Sequence, residues 1–249
     1  MTDANQQTSP VARLRRPRPV LPSMWQLPHG SEADDDGVVG VGADLEPGTL
    51  ADAYMRGIFP WPHADMPLPW FSPNPRAVIP ADGVRISRSL ARLMRRVDWH
   101  TTVNAAFESV MRGCATRVDQ PTWIDDSMIK AYGRLHDLSW AHSIEVWDGK
   151  RLIGGVYGVQ IGAVFTAESM FYRESNASKV ALVALAARFR EAGGVLIDAQ
   201  VLTEHLETLG AITVPRAAFL HTLEELREHD VRMRTDAVTV NTLARESAH

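Results

Sequence analysis

Residues 161–200 read IGAVFTAESMFYRESNASKVALVALAARFREAGGVLIDAQ, and the change of pattern along them decides the fold. Residues 163–171 are rich in β-branched and aromatic side chains, which suits a strand. Asn176 and Ser178 are candidate helix caps. From Ser178 to Ala192, the residues Leu182, Leu185, Ala186 and Phe189 recur at helical spacing. Gly193-Gly194 ends the helix, because glycine accepts the left-handed conformation common at helix C-termini. Residues 195–200 are a second short apolar run. A strand–helix–strand crossover of this length predicts parallel or mixed pairing, with the helix over one face.

Three polar groups interrupt these strands. Glu168 breaks an otherwise apolar run. Asp198 and Gln200 stand two apart, so a strand projects both on one face. A carboxylate in an apolar strand costs free energy unless it is paired or hydrogen-bonded. Two roles are open: a polar site at the strand ends, or a carboxylate that pairs with a buried arginine and only holds the fold together.

Outward from this unit, the chain has 249 residues, 45% of them hydrophobic and 22% charged, a globular balance sufficient for one large domain or two small ones. A net charge of −4 supplies no global attraction to nucleic acid, so any such contact must use a local patch. Cys114 is the single cysteine, which excludes an internal disulfide and a cysteine-based zinc cluster and suits a small buried side chain. The nine histidines lack metal-ligand spacing. No metal and no cofactor is expected. No apolar run reaches the length of a membrane span. Residues 1–19 lack the apolar core of a secretory signal, so the cytoplasm is the expected compartment.

Residues 1–20, polar and punctuated by proline, predict a disordered tail carrying Arg13, Arg15, Arg16 and Arg18. Residues 21–80 predict a small N-terminal domain with a helix from Pro47 to Gly57. Within it, IFPWPHADMPLPWFSPNPRAVIP (residues 58–80) interleaves prolines with Phe59, Trp61, Trp70 and Phe71. Proline forbids a long helix here, and the aromatics suit the wall of a pocket where a base or an apolar side chain stacks. Residues 81–230 predict the larger, catalytic domain, and residues 231–249 a flexible tail. Residues 86–97 form an amphipathic helix with Arg85, Arg88, Arg92, Arg95 and Arg96 on its polar side. Arginine forks match phosphate oxygens. Residues 102–113 and 122–138 predict two further helices, followed by a hairpin turning at Asp148-Gly149. A short helix (203–209), a strand (212–214) and a last helix (215–226) complete an α+β order, with a mostly antiparallel sheet containing one crossover.

Nine segments share their order and spacing with one family: GIFPW (57–61), WFSPNPRAV (70–78), TWI (122–124), AHSIEVW (141–147), GGVYGV (154–159), ESMF (168–171), NASK (176–179), LIDAQ (196–200) and LGA (209–211). Together they resemble the bacterial leucyl/phenylalanyl-tRNA–protein transferases. The resemblance implies a cytoplasmic N-end rule enzyme that moves Leu or Phe, and Met less well, from aminoacyl-tRNA to proteins with N-terminal Arg or Lys, marking them for degradation. It implies a C-terminal domain of the acyl-CoA N-acyltransferase type. It also implies site roles: Asp198, Gln200 and Glu168 catalytic; Phe59, Trp61, Trp70, Phe71, Met170 and Phe171 around the donor side chain; Trp123 and Tyr132 at the terminal adenosine; and Arg85, Arg88, Arg92, Arg95 and Arg96 on the acceptor stem. Asn74 stands where the family usually has aspartate.

An aminoacyl ester is activated relative to an amide, so the enzyme mainly holds the ester carbonyl beside a neutral amine. An amide carbonyl is a very weak base, so Gln200 orients the amine while Asp198, a water or the tRNA ribose takes the proton. Two rivals remain at this level. One is an acyl-CoA-dependent N-acetyltransferase, against which the glycine-free turn at residues 172–176 argues. The other is a non-catalytic binder of basic N-termini.

Overall fold

A computed structural model describes residues 11–63, 66–116 and 122–246. In chain order the strands and α-helices are β1 (Val38–Val41), α1 (Pro47–Met55), β2 (Phe59–Pro60), β3 (Pro69–Phe71), β4 (Arg76–Pro80), α2 (Arg88–Met94), β5 (Trp99–Val103), α3 (Phe107–Ala115), α4 (Asp126–Asp137), β6 (Ala141–Asp148), β7 (Arg151–Ile161), β8 (Val164–Tyr172), α5 (Ala177–Glu191), β9 (Leu196–Gln200), α6 (Glu204–Thr208), β10 (Ile212–Val214), α7 (Arg216–Leu226), β11 (Val238–Thr239) and α8 (Val240–Glu246). The large sheet has eight strands in the order β10-β4-β9-β8-β7-β6-β5-β11, and a small sheet has the order β1-β3-β2. Every pairing in the large sheet is antiparallel except β8 with β9, which the helix α5 joins. This is the expected α+β architecture with its single crossover.

Two apolar layers cover the large sheet. On one face α5 and α2 pack with Phe165, Ile197 and Ile153. On the other, α1, α3, α4 and α7 pack with Tyr132, Tyr157 and Phe171. Consecutive glycines in β7 let helices approach from both sides. A Cβ on Gly154 would lie 2.7 Å from the Ala177 Cβ of α5, and one on Gly155 would lie 2.9 Å from Val110 of α3.

Several expectations require correction. The proline-rich segment contains β2, β3 and β4 rather than an irregular wall; Pro60, Pro69 and Pro80 stand at strand ends, where no ladder donor need be lost. Since β4 lies inside the large sheet, a boundary at residue 80 would assign one of that sheet's inner strands to the N-terminal unit. Trp99–Val103 is a strand, so the helix expected from residue 102 begins only at Phe107. There the buried Glu145 carboxylate accepts from Thr102 Oγ1 and from the Ala105 and Ala106 amides leading into α3. Asn176 precedes α5 with φ 69° and caps it with no side-chain bond.

The tails differ most. Residues 1–10 and 247–249 lie outside the described residues. Residues 11–20 form a strap, and residues 231–246 form a packed segment that includes β11 and α8. Leu14, Val231, Met233, Val240 and Leu243 are buried in the α5-side core. Arg13 bridges Arg234 in antiparallel fashion, the Leu14 amide donates to the Met233 carbonyl at 2.9 Å, and the Thr235 amide donates to the Ala12 carbonyl at 2.8 Å. Net polarity misled the expectation, because a single buried residue, Leu14, together with backbone bonds anchors an otherwise exposed strap. Leu14→Ala should lower stability by about 2–5 kcal/mol in urea unfolding; an unchanged midpoint would mean the strap adds nothing to the core.

Candidate active site

The site begins at a fault in the sheet. Strand β8 pairs Ser169 with Tyr157 and then Ala167 with Gly158, so Glu168 is an extra residue in a β-bulge. The bulge also moves later side chains to the opposite face. The β8/β9 parallel ladder runs from Val164 to Thr166 against Leu196 to Asp198. Past it, Gln200 Nε2 donates to Glu168 Oε1 at 2.9 Å, bridging β8 and β9. Gln200 has φ 64°, so it turns out of the strand rather than continuing its alternation.

Asp198 lies beneath this bridge and is fully buried. Arg76 of β4 grips it through two parallel bonds, Nε to Oδ1 at 2.8 Å and Nη2 to Oδ2 at 2.7 Å. Thr166 Oγ1 donates to Oδ2 at 3.1 Å, and the Gln200 amide donates to Oδ1 at 3.0 Å. The same-face pair expected of Asp198 and Gln200 is thus a backbone contact, and the Gln200 amide group is directed to Glu168. Arg76 is 1% exposed and lies over the rings of Phe59 and Phe219 at 4.9 and 4.5 Å from their centroids. Its Nη1 reaches the Gly57 carbonyl at 3.2 Å. The pairing with a buried arginine, one of the two open roles, falls to Asp198, while Glu168 faces the bridge.

Glu168 is 8% exposed. Its Oε2 accepts from the Tyr132 hydroxyl at 3.4 Å, and that hydroxyl bonds the Tyr54 hydroxyl. Burial pushes the Glu168 carboxyl up to about 8, and the Asp198 charge adds to the rise; Tyr54, Arg76 and Tyr132 oppose it. Burial, together with Glu168, pushes both tyrosines well above their ordinary range. The site therefore holds a carboxyl raised by burial to about 8, fixed between two phenols and an amide. Sequence reasoning assigned no role to Arg76, Thr166 or Tyr54. The signal was there for Arg76, an arginine opening the apolar strand RAVIP: a buried carboxylate needs such a partner.

The other expected site residues divide into several places. Phe59, Trp61 and Phe71 form one cluster with His63, with ring centroids 5.5–6.4 Å apart. Trp70 is directed elsewhere, buried, with Nε1 on the Gly42 carbonyl at 2.7 Å. It lines a cavity of about 180 Å³ with Trp25, Leu27 and Ile58. Met170 packs with the α5-side core, whereas Phe171 lies on the opposite face against Gly113. One wall of six residues is therefore corrected to separate groups, because strand alternation and the bulge send neighbours to opposite faces. Trp123 is half-buried. Tyr132 is fully buried and its hydroxyl is engaged inside the protein, so it presents no surface to an adenosine. Asn74 Oδ1 accepts from the Arg216 amide at 3.0 Å, capping α7 rather than lining a pocket. Arg85, Arg88, Arg92, Arg95 and Arg96 are exposed, and their side chains make no ion pair or hydrogen bond among the described residues. In the turn before α5, the Arg173 and Glu174 amides donate to the Ile153 carbonyl at 2.7 and 3.4 Å, so they are not turned toward a pyrophosphate. Among the described residues, no group of three or more His, Cys, Asp or Glu could hold a metal ion, and no helix is long and apolar enough to cross a membrane.

Two family models match this chain: the leucyl/phenylalanyl-tRNA protein transferase model over residues 78–224, and its N-terminal domain model over residues 43–74. The chain belongs to the leucyl/phenylalanyl-tRNA–protein transferase family. It is 49% identical over 200 residues to the transferase of Shewanella sp. (strain W3-18-1), covering 80% of this chain and 85% of that one. It is 46% identical over 201 residues to the transferase of Citrobacter koseri, covering 81% and 86%. As an aminoacyltransferase of this family, the chain keeps Glu168, Asp198 and Gln200 within one bonded network. Its strap and its C-terminal segment both lie outside the stretches that the two family models match.

Asp198→Ala should cost about 3–5 kcal/mol, since it leaves Arg76 buried without its carboxylate; equal urea midpoints for mutant and parent would contradict this. Glu168 sheds its proton at about 8 when folded, against 4.5 ordinarily. The folded state therefore binds more protons between those values, and its stability falls as pH rises through them. Glu168→Gln should remove this decline, so that thermal unfolding at pH 5 and at pH 8 differs less in the mutant than in the parent.

Proposed function

We propose that this chain transfers Leu or Phe, and less readily Met, from aminoacyl-tRNA to the α-amino group of proteins beginning with Arg or Lys, and that Glu168 and Gln200 carry the step. In the cytoplasm such a product is marked for degradation. The large sheet is read as a core of the acyl-CoA N-acyltransferase type, with β8 and β9 diverging to admit the donor. The observation that carries this reading is the Gln200–Glu168 bridge, 2.9 Å long, past the end of the parallel ladder.

An α-amino group titrates near about 8, and Glu168 titrates at about 8. Matched values let a proton pass between them at little cost. The Gln200 amide orients the amine beside the ester carbonyl. As the C–N bond forms and the ester C–O bond breaks, the amine proton goes to Glu168 and a proton returns to the departing ribose oxygen. Asp198, proposed from sequence as a proton acceptor, is replaced in this role, because both its oxygens are already held by Arg76, Thr166 and the Gln200 amide. It is a positioning residue. A basic first residue favours the ionised form of Glu168 by opposite charge, which couples recognition to the proton step. Trp61 and Phe71, half-buried, offer faces on which the donor's 3′ end stacks. The arginines flanking and lining α2 meet its phosphates.

Transfer of labelled Leu from charged tRNA to an Arg-starting peptide tests this. Gln200→Ala and Glu168→Gln should each lower kcat by about 10²–10⁴, and parental rates in both would overturn the assignment. In the parent, kcat/KM should rise toward pH 8, and Glu168→Gln should leave only the amine's own titration. Transfer should also weaken as salt rises; a flat salt response would remove the phosphate role of the α2 arginines.

A further inference from the structure

The ends of the described chain meet. The strap at residues 11–20 lies along residues 230–235 through the Arg13–Arg234 bridge and the Leu14 and Thr235 amide bonds. Its far end is tied to α4, where the Arg18 amide donates to the Leu138 carbonyl at 2.8 Å and Trp140 Nε1 donates to the Arg18 carbonyl at 2.9 Å. This anchoring leaves Arg13, Arg15, Arg16 and Arg18 exposed on a fixed backbone, with Arg13 Nη1 donating to the Arg232 carbonyl and Arg18 Nη2 to the Asp137 carbonyl. Arg16 pairs with Asp230 at 2.7 Å, but with 70% and 47% of those side chains exposed, water screens the pair and it can be exchanged. Arg15 has no ion pair among the described residues.

A run of arginines on a disordered tail binds more weakly, since each contact must also order the chain. Here the protein core has already ordered it, through Leu14 at 5% exposure. The segment that carries the strap continues into α8, which packs on α2; Asn241 Nδ2 donates to the Arg95 carbonyl at 3.4 Å. Leu14, Leu90, Met94, Met233 and Leu243 share one apolar cluster. The strap arginines and those of α2 therefore flank the same C-terminal segment, on a molecule whose net charge is −4.

We propose that the strap is a second phosphate-binding surface, which extends the RNA interface beyond α2 and holds the body of the tRNA through its sugar-phosphate backbone. This rests on the proposed use of aminoacyl-tRNA and goes further, since it separates holding the RNA from reacting at its end. Arginine rather than lysine suits it, because the planar fork meets two phosphate oxygens at once.

The test uses the full chain. Binding of full-length leucine tRNA is followed across about 50–200 mM salt for the parent, for R15Q/R16Q/R18Q and for R15K/R16K/R18K. Each lost phosphate contact should reduce the slope of log affinity against log salt by about 0.7–0.9. The glutamine variant should therefore lose roughly two to three units of slope and the lysine variant almost none, with similar thermal unfolding in all three. In transfer assays the glutamine variant should raise KM for leucyl-tRNA severalfold at unchanged kcat, and leave transfer from a short aminoacyl-adenosine donor as in the parent. An unchanged salt slope in the glutamine variant overturns the proposal, as does a loss with the short donor equal to that with tRNA. Binding of parent but not glutamine variant to phosphatidylserine vesicles, with equal tRNA slopes, would assign the strap to a lipid surface instead. A parent that fails to transfer Leu refutes the reaction and not the strap, which the binding slopes judge independently.

Discussion

The structure depends on the clasp between Arg76 and Asp198. It joins β4 to the neighbouring β9, and through Phe59 and Phe219 it ties the small sheet and α7 to the large one. Burying two charges is costly, and attraction repays the cost only where geometry is good and the remaining hydrogen-bonding positions are filled. Both conditions hold: the contact is bidentate, and Thr166 and the Gln200 amide complete the carboxylate. Such a pair is weak as a source of stability and strong as a constraint on register, because displacing β9 by one residue would orphan both charges.

That constraint is what allows a second carboxyl to remain unpaired by any cation. Glu168 sits in a bulge, outside the regular alternation of β8, and faces phenols and an amide rather than a guanidinium. Arg76 is committed to Asp198, and its charge only partly offsets the burial that keeps Glu168 protonated. Two acids on neighbouring strands thus take opposite roles: Asp198 is clasped by Arg76 and structural, whereas burial pushes the Glu168 carboxyl up to about 8. The division follows from which strand the arginine enters.

Much of the architecture was legible from pattern. The crossover β8–α5–β9, the hairpin at Asp148-Gly149, and the helices ending at Gly57 and Gly210 all follow from periodicity and glycine. Less legible were strands written in proline and aromatic residues, and Trp99–Val103, where half-buried His100 and Thr102 and a buried Thr101 lack a strong apolar signal. The acids Glu168 and Asp198 could be singled out because carboxylates are conspicuous in apolar strands. Their division of labour could not, since it depends on Arg76, 122 residues away along the chain. A one-residue bulge is equally invisible: it changes which face Met170 and Phe171 occupy without changing composition.

The joining of residues 12–14 to residues 233–235 closes a loop spanning almost the whole chain; the bond from Arg13 to Arg232 crosses a sequence separation of 219. The entropy of closing a loop grows only with the logarithm of its length, so this closure is affordable at equilibrium. In time it is different. Contacts so remote in sequence form after the nearer ones have brought the ends within reach. The strap can be aligned only once residues 233–235 have been made, so a half-made chain leaving the ribosome carries its arginines without the track that aligns them.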